Sequence, residues 1–150
     1  MRSVLVVDDD ADLRISLGDF LERHGWTVHR ASNGQEALGI LKPSIYAVVL
    51  DLRMPVMDGH AALEEIRKRF DLDAVCVVVL TGYGRVDSAV KALRQGAHQY
   101  LQKPFKYEDL ERILLSGIAQ QKLTALSREL LASQDIDLVL AKFCDVIRET

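Results

Sequence analysis

Five short apolar runs, each followed by a stretch with helical spacing, constrain this chain more than any other feature. Residues 3–7, 26–30, 45–50, 74–80 and 98–102 read as strands. The run at 74–80 is the most continuous, so it reads as a central strand covered on both faces. Between the runs, apolar residues recur every three or four positions. They are Leu13, Leu17, Phe20 and Leu21, then Ala37, Leu38 and Leu41, then Leu63, Ile66 and Phe70, then Val86, Val90 and Leu93. Asp10 can cap the first helix, Ser32 with Gln35 has capping-box spacing for the second, and Asp58 or Gly59 opens the third. Gly25 and Gly96 stand where helices stop, and Pro43 closes the second helix. Strand and helix alternating five times predicts an α/β fold: a doubly wound five-stranded parallel sheet with right-handed crossovers. The order of the strands does not follow from this pattern.

Parallel strands bring their carboxyl ends to one edge, where ligands of open α/β sheets bind. The stretch 48–59 shows the consequence: an apolar run climbs to Asp51 and breaks at once into a loop marked by Pro55 and Gly59. Asp8 and Asp9 end the first strand, Thr81 the fourth, and Lys103 follows the fifth, so these residues should converge. Crowded carboxylates repel unless a cation sits among them, and hard oxygen ligands with room for water suit Mg²⁺. A lysine beside them makes sense if an anion such as a phosphoryl group also arrives, with the Thr81 hydroxyl as a further donor.

Asp8-Asp9, Asp51, Thr81 and Lys103-Pro104-Phe105, in that order at strand ends, resemble the receiver domain of bacterial two-component response regulators, over about residues 1–119. The resemblance implies the flavodoxin-like (βα)5 fold and a set of roles. Asp51 would take a phosphoryl group from the phosphohistidine of a sensor histidine kinase or phosphotransfer protein, forming an acyl phosphate. Asp9, Asp51 and the backbone carbonyl of Arg53 would hold Mg²⁺, with Asp8 acting through a metal-bound water. Lys103 would bind a phosphoryl oxygen, and Thr81 would move to bond another. Tyr100 would then swing inward, repacking the face made by the fourth helix, fifth strand and fifth helix. The Lys103-Pro104 bond is expected to be cis, aiming the lysine at the site. Such a chain catalyses its own phosphoryl transfer and is otherwise no enzyme.

Other classes fit less well. A magnesium-dependent phosphatase with an aspartyl nucleophile, of the haloacid-dehalogenase kind, wants a second Asp two residues after the first, and Arg53 stands there. A receiver-like module used only for interaction would not need all five site residues. Gly82-Tyr-Gly84 lacks the third glycine of a dinucleotide fingerprint. Asp10 and Asp58 read as helix caps, and His24, His29, His60 and His98 as surface or edge residues without ligand spacing. Arg53 and Tyr83, two positions past Asp51 and Thr81, overlook the site. A net charge of −3 with no basic stripe gives no reason to expect nucleic-acid binding in this segment. The opening residues turn acidic too soon for a signal peptide, and no apolar run approaches the roughly 20 residues of a membrane span, so a cytoplasmic location is expected. Cys76 and Cys144, in apolar surroundings, read as buried thiols.

Past the receiver, residues 120–150 read as a helical linker or the start of a second domain. A helix from Tyr107 carries Leu110, Ile113, Leu114, Gly117 and Ile118, and Leu123, Leu126 and Leu130 continue it as a short coiled-coil-like stripe. That stripe suits either a homodimer or packing back on the receiver. A second amphipathic helix carries Leu140, Phe143 and Ile147, and the stretch 126–140 weakly resembles the entry helix of a GAF domain.

Overall fold

The computed structural model describes residues 2–54, 56–70, 75–82, 84–132 and 147, with the backbone alone at 121, 122, 124, 125 and 128–132. The second tail helix, the greater part of the GAF-like stretch, Tyr83 and Cys144 lie outside the described residues. The chain forms β1 (Ser3–Val7), α1 (Ala11–Arg23), β2 (Thr27–Ala31), α2 (Gly34–Ile40), β3 (Ala47–Asp51), α3 (Gly59–Arg69), β4 (Cys76–Thr81), α4 (Val86–Arg94), β5 (Gln99–Gln102) and α5 (Tyr107–Ala132). The strands make one parallel sheet in the order β2-β1-β3-β4-β5. This is the expected five-stranded, doubly wound (βα)5 architecture. The order also supplies what the sequence left open. β2 lies to one side of β1 and β3 to the other, so a crevice opens beyond the carboxyl ends of β1 and β3.

β1, β3 and β4 are buried along their whole length, which is why their sequences are unbroken apolar runs. Alternate residues serve opposite layers. Val4, Val6, Val49, Val78 and Leu80 pack with Leu17 and Leu21 of α1 and Leu110 and Leu114 of α5. Leu5, Val7, Val48, Leu50, Val77 and Val79 pack with α2 and α3 through Leu38, Leu63 and Ile66, and with Ala92 of α4. Each fully buried Val or Leu contributes about 1.5–3 kcal/mol, so these two layers hold the sheet edge rigid beneath the site.

Side-chain caps fix where α1, α2 and α3 begin. The Asp10 carboxylate accepts from the amides of Asp12 and Leu13, and that of Asp58 accepts from Ala61. For α2 the cap differs from the expected Ser32: Asn33 accepts from the Glu36 amide, and the Ser32 hydroxyl donates to the Glu36 carboxylate instead. Asn33 is the extended residue from which the helix starts, and an amide oxygen there serves as well as a hydroxyl. A second finding concerns α4. Its apolar stripe of Val86, Val90 and Leu93 faces outward, and the residues it buries are Ala89 and Ala92. Alanines let this helix lie close on the sheet, leaving its larger side chains free.

α5 runs unbroken across residues 119 and 120 to Ala132. Leu110 and Leu114 are fully buried, whereas further along Leu123 is exposed and Leu126 is buried. Among the described residues no helix is long and apolar enough to cross a membrane.

Candidate functional site

The β1–β3 crevice gathers the acids. Asp8 follows β1, and its amide donates to the Ala31 carbonyl at the end of β2, which holds the turn in place. Asp51 is the last residue of β3, paired in register with Leu80. The loop after it returns directly over it. Gly59 opens α3 with its amide donating to the Leu52 carbonyl, and a Cβ there would fall against the Asp51 carbonyl and 2.6 Å from the Leu52 Cα. Only glycine fits that approach.

Asp8, Asp9 and Asp51 each offer a carboxylate oxygen, and these atoms all lie within 4.8 Å of one another. Asp8 is fully buried and Asp51 nearly so, whereas Asp9 is exposed and forms the mouth. An open pocket beside them is lined by Asp9, Leu52, Arg53, Met54 and Asp58. Asp8 is already engaged, one oxygen accepting from the Asp10 amide at 2.9 Å and the other from Lys103 Nζ at 2.8 Å. Lys103 Nζ also lies 3.5 Å from Asp51 Oδ2, and the Arg53 amide donates to Asp51 Oδ1 at 3.2 Å.

The electrostatics follow from this crowding. Burial, then the charge of Asp8, push Asp51 up from 3.8 to about 7, against the opposing pull of Lys103 and the Arg53 amide. Burial works to lower Lys103, but its hydrogen bond to Asp8 and the charges of Asp51 and Asp8 outweigh it, and the ammonium is held above its ordinary range. Three carboxylates against one ammonium leave an excess of negative charge. A hard divalent cation of the Mg²⁺ kind fits this donor set, and the open side would leave room for waters to complete its shell.

The other sequence candidates fall at different distances from this centre. Thr81 ends β4 and is buried, with its carbonyl accepting from the Lys103 amide at 2.8 Å. The Lys103–Pro104 peptide is cis, as expected. Arg53 stands exposed on the rim, and Tyr100 lies on β5 with 40% of its surface exposed. One residue went unnoticed in the sequence and two others were misplaced. Arg14 Nη1 donates to the Asp8 carbonyl at 2.8 Å, and its place one turn after the Asp10 cap is the signal that could have found it. His60, read as a surface residue, is partly buried with hydrogen-bond partners on both ring nitrogens. His98 is also partly buried, and its Nδ1 accepts from the Val77 amide.

Comparison with known proteins agrees with this geometry. Residues 4–115 match the family described as the response regulator receiver domain. The regulatory protein AtoC of Escherichia coli is 35% identical over 126 residues, covering 82% of this chain and 26% of that protein. A probable transcriptional regulator, ycf27 of Porphyra purpurea, is 42% identical over 113 residues, covering 73% of this chain and 44% of that one. Across the curated relatives it matches, this chain spans between about a quarter and a half of their length. Among solved structures, a response regulator receiver domain protein from Clostridium thermocellum superposes with a TM-score of 0.77 at 33% identity, covering 83% of this chain and 99% of that one. NtrX from Brucella abortus with ADP gives 0.80 at 30% identity, covering 87% of this chain and 30% of NtrX. A matching fold, relatives at 35–42% identity over most of the chain, and a family match over 4–115 lead to one conclusion: this chain belongs to the response regulator receiver domain family.

Proposed function

We propose that this protein is a phosphorylation-driven switch of a two-component system, with Asp51 as phosphoacceptor. The observation that carries the reading is the convergence of Asp8, Asp9, Asp51 and Lys103 at one sheet edge. A carboxylate oxygen of Asp51 attacks the phosphorus of a phosphohistidine on a sensor histidine kinase or phosphotransfer protein. The phosphorus–nitrogen bond breaks, the imidazole leaves, and an acyl phosphate remains on Asp51. Asp9, Asp51 and the Arg53 carbonyl would hold Mg²⁺, and Asp8, whose oxygens accept from the Asp10 amide and Lys103, would act through a metal-bound water. The bound ion supplies positive charge beside Asp51 and the incoming phosphoryl oxygens. Lys103 lies between Asp8 and Asp51, within reach of a phosphoryl oxygen on Asp51, and the Thr81 hydroxyl serves as a second donor. The outward Tyr100 and the free apolar stripe of α4 are the parts that read the change out, on the α4–β5–α5 face.

In this reading the chain modifies only itself, in the cytoplasm. Residues 1–119 form the switch and 120–150 a helical linker, through which two copies pair by way of Leu123 and its neighbours. The segment contacts no nucleic acid.

The test is intact mass after treatment with acetyl phosphate and Mg²⁺, beside Asp51→Asn. A single phosphoryl adduct that needs both Mg²⁺ and Asp51 is expected. Folded, Mg²⁺-loaded protein without an adduct would overturn the reading in favour of an interaction module.

A further inference from the structure

α4 is lightly held. Its buried face offers only the methyl groups of Ala89 and Ala92, and its first turn has no side-chain cap. What ties it to α3 is polar. His60, the second residue of α3, places Nδ1 2.8 Å from Gln95 Oε1 and Nε2 2.8 Å from Ser88 Oγ. The Gln95 side-chain amide donates in turn to the His60 carbonyl and to a Glu64 carboxylate oxygen, both at 3.3 Å. Since the Gln95 nitrogen donates to these two acceptors, its Oε1 accepts. His60 Nδ1 therefore carries the proton, and Nε2 accepts from the Ser88 hydroxyl. The bridge grips α4 seven residues apart, along most of its length.

The position of His60 gives this bridge a second end. It follows Gly59, whose amide donates to the Leu52 carbonyl and where a Cβ would collide with the Asp51 carbonyl and the Leu52 backbone. A path therefore runs from the Asp51 loop through one glycine and one imidazole to the first turn of α4 and to Gln95, the residue that closes it. We propose that His60 is the positioning residue that clamps α4 to the Asp51 loop, so that its bridge to Ser88 and Gln95 sets how readily the site displaces α4. The inference rests on the switch reading.

Hydrogen bonds made in the resting arrangement and lost when α4 moves favour rest. By reciprocity, their removal tightens binding of whatever drives the movement. The probe is beryllofluoride with Mg²⁺, a stable phosphoryl mimic, titrated by fluorine NMR against the full chain. For His60→Leu the half-saturating concentration is expected to fall about three- to tenfold, the equivalent of one or two net hydrogen bonds. Ser88→Ala should give a smaller fall, and adding it to His60→Leu should give no further change, because its partner is already gone. Amide exchange should quicken in α4 of both variants and stay unchanged in α1. Faster α4 exchange with unchanged half-saturation would show a merely structural bond and overturn the proposal, as would unchanged α4 exchange. Should His60→Leu fail to fold, Ser88→Ala decides alone. A parent protein that binds no beryllofluoride overturns the switch reading itself, whereas parent binding matched by both variants overturns only the clamp.

Discussion

Asp51 is a carboxylate kept where its charge is costly, and Lys103 only partly relieves it. A folded-state value of about 7 against an ordinary 3.8 means that the folded protein holds the proton more tightly than the unfolded chain. The stability this contributes is full below 3.8 and is lost as pH rises through about 7. Without metal, the melting temperature should therefore fall as pH rises from 3.8 to about 7 and then level off. Mg²⁺ binds the ionised form and should restore it above neutrality. Asp51→Asn should flatten the slope and, at about pH 8 without metal, add about 1–3 kcal/mol in a denaturant titration. An unaltered slope in that variant would place the charge cost elsewhere. Asp51, Asp8, Asp9, Thr81 and Lys103 were legible in sequence because a parallel sheet puts every carboxyl end on one edge, and the order β1-β3-β4-β5 makes those ends neighbours. His60 was not. Its partners Ser88 and Gln95 sit on another helix, and no local spacing announces a bond between two helices that neither pairs strands nor shares an apolar stripe.

Among the elements, α2 shows how adjacent polar residues compete for one task. Ser32 and Asn33 are both good caps, and the sequence does not rank them; the backbone does, by making Asn33 the extended residue before the first turn. Asn33→Ala should cost about 1 kcal/mol by chemical denaturation, since the Glu36 amide loses its acceptor. Ser32→Ala should stay within about 0.5 kcal/mol, because its bond to Glu36 is an exposed one. Equal costs would restore Ser32 as the cap. α4 was legible as a helix but not in its orientation. Its large apolar residues mark a periodic face, and sequence periodicity shows that a face exists without showing which way it points. The small Ala89 and Ala92 decided that, through how closely the backbone could approach β4 and β5.

At the scale of the molecule, α5 meets the sheet where Gly117 lies on Cys76 of β4. A methyl at 117 would collide with that sulfur, so Gly117→Ala should destabilise the fold by about 1–3 kcal/mol. Cys76→Ala opens the missing space. The double variant should recover at least about 1 kcal/mol of what the two single changes cost together, read as a coupling in a double-mutant cycle. Strict additivity would mean that α5 shifts to accommodate the methyl. Burial also pushes the Cys76 thiol up to about 11, so it stays protonated and uncharged against the helix.

That docking carries a consequence further along the same helix. With no break from Tyr107 to Ala132, the 26 residues of α5 form one rod of about 39 Å, fixed in rotation by its seat on β4. A rigid rod passes on angle as well as distance. One residue inserted between 119 and 132 would turn the end of the rod by about 100°, two would present nearly the opposite side, and seven would almost restore the original bearing. The bearing of Ala132 relative to the sheet is therefore set by the count of residues between it and the seat on β4.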